Sequence, residues 1–228
     1  GGSGNPSPVT GYGVYRGMKA SAKRAYGSDS LQGKRIAIQG AGSVASHLAH
    51  YISKENAELF ITDIFEEKAK QLAEATGAEV VKPDNIYTLD VDIFSPCALG
   101  GVANDDTIDY MKCDIIAGGA NNILDNEEKH GNELIKKGIL YAPDYVINAG
   151  GLINVSSELE GYNENLAMNK TSRIYDTVLE IFDFAEENDI PTIAASNALA
   201  KKRIEAVGKV GTIYSSKSHF SKRKGEQY

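Results

Sequence analysis

Gly40-Ala41-Gly42-Ser43-Val44-Ala45 has the form G-x-G-x-x-A, a run in which each residue type has a physical task beside an anion. The first glycine permits a tight turn, and the second lets backbone approach a pyrophosphate. The small Ala45 lets a helix pack close to a strand, while the N–H groups of Ser43, Val44 and the residues around them face the anion at the helix start. The run lies directly between an apolar segment, Arg35-Ile36-Ala37-Ile38-Gln39, and a helical one. Asp63 ends the next apolar segment, Leu59-Phe60-Ile61-Thr62, at the distance of roughly twenty residues where a ribose-binding carboxylate belongs. A carboxylate there accepts hydrogen bonds from ribose hydroxyls and repels a 2′-phosphate, and Ile64 and Phe65 supply no arginine to receive one. Together these residues predict a dinucleotide site that takes NAD in preference to NADP.

Three further segments combine small residues with amides: Ser95-Pro96-Cys97-Ala98-Leu99-Gly100-Gly101, Gly118-Gly119-Ala120-Asn121-Asn122 and Pro143-Asp144-Tyr145-Val146-Ile147-Asn148-Ala149-Gly150-Gly151. Glycine and alanine let a flat ring lie against backbone, and asparagine offers a donor and an acceptor without charge. Each follows a predicted strand.

The elements that would position these groups alternate. A helix follows Pro6-Ser7-Pro8 and runs to Tyr26 before Gly27. Strands are predicted at Arg35–Gln39, Glu58–Thr62, Glu79–Val81, Asp92–Ser95, Asp114–Ala117 and Ile139–Ala142. Helices are predicted from the glycine turn to Glu55, at Glu66–Thr76 and at Glu127–Lys137. Alternating β and α implies an α/β fold with a Rossmann-like, doubly wound, mostly parallel sheet. Beyond Asn154 strand signals fade, and Ile174, Val178, Ile181, Phe182 and Ala185 follow helical spacing. We therefore divide the chain into a Rossmann domain with its leading helix over 1–153, a helical extension over 154–209 and a flexible basic tail over 210–228.

Lys and Arg total 24 against 31 acidic residues, a net charge of −7, which argues against a nucleic-acid partner. No apolar run is long enough for a membrane span. Cys97 and Cys113 show no metal or disulfide spacing, which fits a reducing, cytoplasmic setting, and the four histidines show no metal spacing and read as surface residues. Tyr15 and Lys19 form Y-x-x-x-K, the pair that some reductases use as an acid and its pKa-lowering cation, but they precede the glycine turn instead of following it. A catalytic histidine with a neighbouring carboxylate is also not evident, since His130 sits in a charged helical stretch. Asp105-Asp106 and Glu127-Glu128 read as a helix start and an early helical turn.

Gly4-Asn5-Pro6-Ser7-Pro8-Val9-Thr10, Tyr12-Gly13-Val14, the glycine run, Pro96-Cys97-Ala98-Leu99-Gly100-Gly101, Ala120-Asn121-Asn122 and Tyr141 to Gly151 occur in one order along nearly the whole chain. In combination they resemble the cofactor domain of the glutamate/leucine/phenylalanine/valine dehydrogenase family, nearest its leucine branch. The resemblance implies oxidative deamination of L-leucine or another branched-chain L-amino acid to a 2-oxo acid and ammonia. It also implies site roles: Thr10 and Asn148 by the nicotinamide carboxamide, Cys97 and Ala98 along the cofactor cleft, Asn121 facing the cofactor, and Asn122 facing the substrate. Leu152 and Val155 match positions of the apolar side-chain pocket. The family's catalytic lysines and aspartate would precede Gly4, in an N-terminal domain that would be this chain's partner, and the intact enzyme would be a homo-oligomer. A stand-alone NAD-binding or redox-sensing module is the competing expectation.

Overall fold

The computed structural model describes residues 4–158 and 163–217, the side chains of 158 and 207–217 excepted. His219 and the part of the expected basic tail from 218 onward lie outside the described residues. Strands β1 (Arg35–Gln39), β2 (Glu58–Thr62), β3 (Glu79–Val80), β4 (Ile93–Pro96), β5 (Ile115–Ile116) and β6 (Leu140–Tyr141) form one sheet in the order β3-β2-β1-β4-β5-β6. Every pairing is parallel, with Ile36 opposite Leu59 on one side and Ile93 on the other. The expected doubly wound α/β architecture is thus observed, in the strand order of a dinucleotide-binding sheet.

Helices cover both faces, which is why the central strands are continuous apolar runs. On one face Ile36 and Ile38 pack with Val14, Met18, Leu48 and Phe182. On the other Ala37 packs with Phe60, Phe94, Ile116 and Leu134. The split follows the two-residue period of β1, which sends alternate side chains to opposite faces.

The helices are α1 (Ser7–Tyr26), α2 (Ser43–Ser53), α3 (Glu66–Thr76), α4 (Glu127–Lys137), α5 (Asp144–Ile147), α6 (Gly150–Glu158), α7 (Glu164–Ser172), α8 (Ile174–Asn188) and α9 (Thr192–Lys217). Two of them show their sequence signals plainly. The Asn126 side chain accepts from Lys129 N–H to cap α4, and α4 ends on Gly138 in the left-handed conformation. The apolar stripe of α8 buries Val178, Ile181, Phe182 and Ala185 as its spacing predicts, and α8 packs beside α1. The Thr192 hydroxyl donates to the Tyr141 carbonyl at 2.7 Å, tying α9 to the edge of the sheet at β6.

Tyr15 and Lys19 converge on Glu55, whose carboxylate also accepts from Leu31 N–H. The Y-x-x-x-K pair therefore joins α1 to the far end of α2, the end opposite the glycine turn. No helix among the described residues is long and apolar enough to cross a membrane.

Two expectations are corrected. His130 is 2% exposed, not a surface residue, and its setting does contain a carboxylate: its Nε2 lies 3.0 Å from Asp105 Oδ1, while its Nδ1 accepts from Asn126 N–H at 2.9 Å. That backbone bond keeps the proton on Nε2, which donates to Asp105, so the nitrogen facing Asp105 and Glu133 offers no lone pair to a metal. Asp105 and Asp106 do not start a helix. They lie in a turn built on Asn104, whose Oδ1 accepts from the N–H groups of Asp106 and Thr107, and a short 3-10 segment begins only at Ile108.

Candidate functional site at the carboxyl edge of the sheet

The loops that follow β1, β2, β4, β5 and β6 open on one edge of the sheet, and they carry the residues singled out from the sequence. Gly40 leaves β1 with φ +110°, a conformation side chains rarely adopt, and a Cβ there would stand 3.0 Å from Ala98 Cβ. Gly42 precedes α2 with no side-chain cap, and nothing occupies the space where its Cβ would be. The first-turn N–H groups of Ser43, Val44 and Ala45 have no helical carbonyl to bond, so this open ledge is suited to an anion. Asn5 reaches it from the start of the chain, its Nδ2 donating to Ser43 Oγ at 3.4 Å.

Asp63 is fixed by backbone. Its Oδ2 accepts from Ala41 N–H at 2.7 Å and its Oδ1 from Phe65 N–H at 2.8 Å. Each oxygen keeps lone-pair capacity for one further donor such as a ribose hydroxyl. Beside it lies a cavity of about 330 Å³, bounded by Gly40, Asp63, Phe65, Lys68, Pro83 and Ala98 among others. Gln39 also lines it, and its Nε2 donates to Tyr87 Oη at 2.7 Å.

The line of contacts continues across the sheet. Cys97 N–H donates to the Gln39 carbonyl, and Cys97 Sγ accepts from Gly119 N–H at 3.4 Å. Burial pushes the Cys97 thiol pKa up, outweighing the hydrogen bonds from Gly119 and Ser95, so the thiol stays protonated near neutrality. The loops after β4 and β5 lie back to back: a Cβ on Gly100 would stand 2.4 Å from the Asn121 carbonyl oxygen. Asn148, at the end of α5, donates from Nδ2 to Asn121 Oδ1 at 2.6 Å. Thr10, in the first turn of α1, lies beside the start of α6, and its hydroxyl donates to the Pro6 carbonyl at 3.0 Å.

The structure thus places Thr10, Gly40, Gly42, Ser43, Val44, Ala45, Asp63, Cys97, Ala98, Asn121 and Asn148 along one edge. Asn122 is exposed at φ +53°, in the left-handed region that asparagine tolerates better than most residues. Leu152 and Val155 lie three residues apart on α6 and are 73% and 51% exposed. No hydrogen bond among the described residues joins Asn122 to α6.

Sequence reasoning passed over Asp144. It is 5% exposed, and its carboxylate accepts from Ile123 N–H at 2.7 Å and Tyr145 N–H at 2.6 Å. It therefore fastens the Asn121–Asn122 turn to the helix that carries Asn148. Burial raises the Tyr141 hydroxyl pKa strongly and the adjacent Asp144 charge raises it further, so Tyr141 remains a neutral acceptor for Asp144 N–H. The signal was available in Pro143-Asp144, since an acidic residue after proline is a common helix opening.

The model of the family described as Glutamate/Leucine/Phenylalanine/Valine dehydrogenase matches residues 1–63 and 60–210. The chain belongs to this family. Among the family's leucine dehydrogenases, that of Thermoactinomyces intermedius is 53% identical over 214 residues, 94% of this chain and 58% of the relative. That of Geobacillus stearothermophilus is 51% identical over 96% of this chain and 59% of the relative. The crystal structure of L-tryptophan dehydrogenase from Nostoc punctiforme superimposes with a TM-score of 0.86 at 47% identity, over 88% of this chain and 61% of that one. The chain spans about three-fifths of the length of these family members, all of them amino-acid dehydrogenases.

Proposed function

We propose that this chain is the NAD-binding part of an amino-acid dehydrogenase that oxidises L-leucine or another branched-chain L-amino acid. The observation that carries the proposal is the continuity of the edge from the Gly42 ledge and Asp63, through Cys97, to the Asn121–Asn148 pair. The residues present fit a dinucleotide: an open helix start for the pyrophosphate, a pinned carboxylate for ribose hydroxyls and an adjoining cavity partly lined by apolar groups. When bound, NAD would accept hydride from the substrate α-carbon. The chain's own contribution is placement. Asp63 orients the ribose, and Asn148, held by Asn121, presents an amide to the nicotinamide carboxamide together with Thr10.

On this reading Asn122 faces the substrate and Leu152 and Val155 supply an apolar wall, which suits a branched aliphatic side chain better than a charged one. Cys97 stays a neutral thiol in the cleft wall. The lysines and aspartate that move protons belong, by the resemblance, to the segment preceding Gly4. The 228 residues would then bind cofactor without turning over substrate. Calorimetric titration with NAD and NADP, followed by an L-leucine oxidation assay with and without the preceding segment of a leucine dehydrogenase relative, tests this. Binding of NAD with turnover only on complementation is expected. NAD binding that complementation never converts to turnover would favour a stand-alone binding module, and no NAD binding would refute the reading of Gly40 to Asp63.

A further inference from the structure

We propose that Lys68 receives a 2′-phosphate, so that this site also takes NADP, with Asp63 and Lys68 opposing one another in the choice of cofactor. The inference rests on the cofactor reading above and refines it. Two lysines point from α3, and their settings differ. Lys70 is engaged by carboxylates on its own helix, 3.0 Å from Glu66 and 3.3 Å from Glu67. Lys68 has no carboxylate partner among the described residues. Its ammonium lies 4.7 Å from the centroid of the Phe65 ring, and both side chains line the cavity that Asp63 borders.

The ring is 58% exposed, so it offers the ammonium a face at the cavity mouth without burying it. Asp63 has no such freedom. Its two backbone hydrogen bonds fix the carboxylate, so it does not swing aside for an incoming anion. A phosphate on the ribose 2′ oxygen would meet a fixed negative group on the β2 side and a cation on the α3 side. The Ile64-Phe65 pair carries no arginine, but Lys68, which follows Glu66 and Glu67 in the first turn of α3, is a cation that reading the two residues after Asp63 overlooks; Lys70 engages those two glutamates. The consequence is partial discrimination: NADP binds more weakly than NAD, and the binding that remains depends on Lys68. A charge-assisted contact of this kind at a solvent-accessible rim is worth about tenfold in affinity.

The test is calorimetric titration of the 228-residue chain with NAD and with NADP at low and high salt, for wild type, Lys68→Gln, Lys70→Gln, Asp63→Asn and the Asp63→Asn/Lys68→Gln pair. Asp63→Asn keeps the side chain's shape and removes the repulsion while giving up one of its two backbone hydrogen bonds, so NADP should tighten relative to NAD by about tenfold. Lys68→Gln should weaken NADP by about tenfold in the Asp63→Asn background, with a much smaller change for NAD, and added salt should shrink that difference. Lys70→Gln makes the same change of charge on the same helix and should move NADP by less than about twofold, its ammonium being already engaged by carboxylates. Equal effects of Lys68→Gln and Lys70→Gln, or NADP affinity in Asp63→Asn that ignores Lys68, would overturn the inference while NAD binding left the cofactor reading standing. Failure to bind either dinucleotide would overturn both.

Discussion

Replacing Asp144 by asparagine should loosen the side of the site that holds Asn121, Asn122 and Asn148. The wild-type carboxylate is almost fully buried and accepts two backbone N–H groups, one from each side of the junction it spans. Asparagine preserves shape and leaves one acceptor, but it turns an NH2 toward the other N–H. A hydrogen bond to a charged acceptor contributes about 1.5–3 kcal/mol, and a buried donor left without a partner costs about 1–3 kcal/mol. Removing a buried charge recovers part of this, so the net loss should be about 3 kcal/mol. Urea unfolding followed by far-ultraviolet circular dichroism measures it, and dinucleotide titration of the same sample should show weaker binding as the Asn121 turn loses its anchor. A change below about 0.5 kcal/mol, the scatter of innocuous surface substitutions, would show that Asp144 is not what fastens the turn.

Gly40→Ala should cost about 1–3 kcal/mol from its positive φ, and the crowding of Ala98 should lower dinucleotide affinity by more than about tenfold; wild-type affinity in the titration would contradict this. Glu55→Gln should destabilise the chain by about 2 kcal/mol near neutrality, less than a fully buried pair because both partners touch solvent. Burial alone would raise the Glu55 pKa, but hydrogen bonds from Lys19, Tyr15 and Leu31 N–H win and hold it below its ordinary value. Its stabilising contribution is therefore present above the ordinary carboxylate pKa and is lost as pH falls through the lower folded-state value. The gap between wild type and Glu55→Gln in urea unfolding should narrow on acidification, and a gap independent of pH would refute the assignment.

The elements that sequence alone placed correctly are those with strong local signals. Ile36–Ile38 and Leu59–Thr62 are unbroken apolar or β-branched runs, and α3 and α4 carry acidic first turns and end on Gly77 and Gly138. The glycine run announced its own turn because Gly40 alone tolerates that backbone. The outer strands came out shorter than expected, since β3, β5 and β6 pair over only two residues each and their ends are decided by neighbours. His130 and Asp105 are 25 residues apart in sequence, and nothing local tells that the turn on Asn104 brings a carboxylate to the ring. The spacing of His130 and Leu134, both buried on one face of α4, was the one available hint. Pro143-Asp144 marks the start of α5, but the fastening role of Asp144 is hidden because its partners are the backbone N–H groups of Ile123 and Tyr145, which carry no side-chain signature.

The placement of β1 in the middle of the sheet has a kinetic consequence. Its register with β2 joins Arg35 to Glu58 across the short crossover of α2, whereas its register with β4 joins Ile36 to Ile93 across a far longer stretch of chain. Closing the shorter loop sacrifices less chain entropy, so the β1–α2–β2 unit is the cheapest part of the sheet to nucleate. That unit contains both the anion ledge and Asp63, so the order of assembly builds the ribose and phosphate end first. The Asn121–Asn148 end waits for the distant strands β5 and β6 to dock, and in amide exchange it should be the first part of the edge to open.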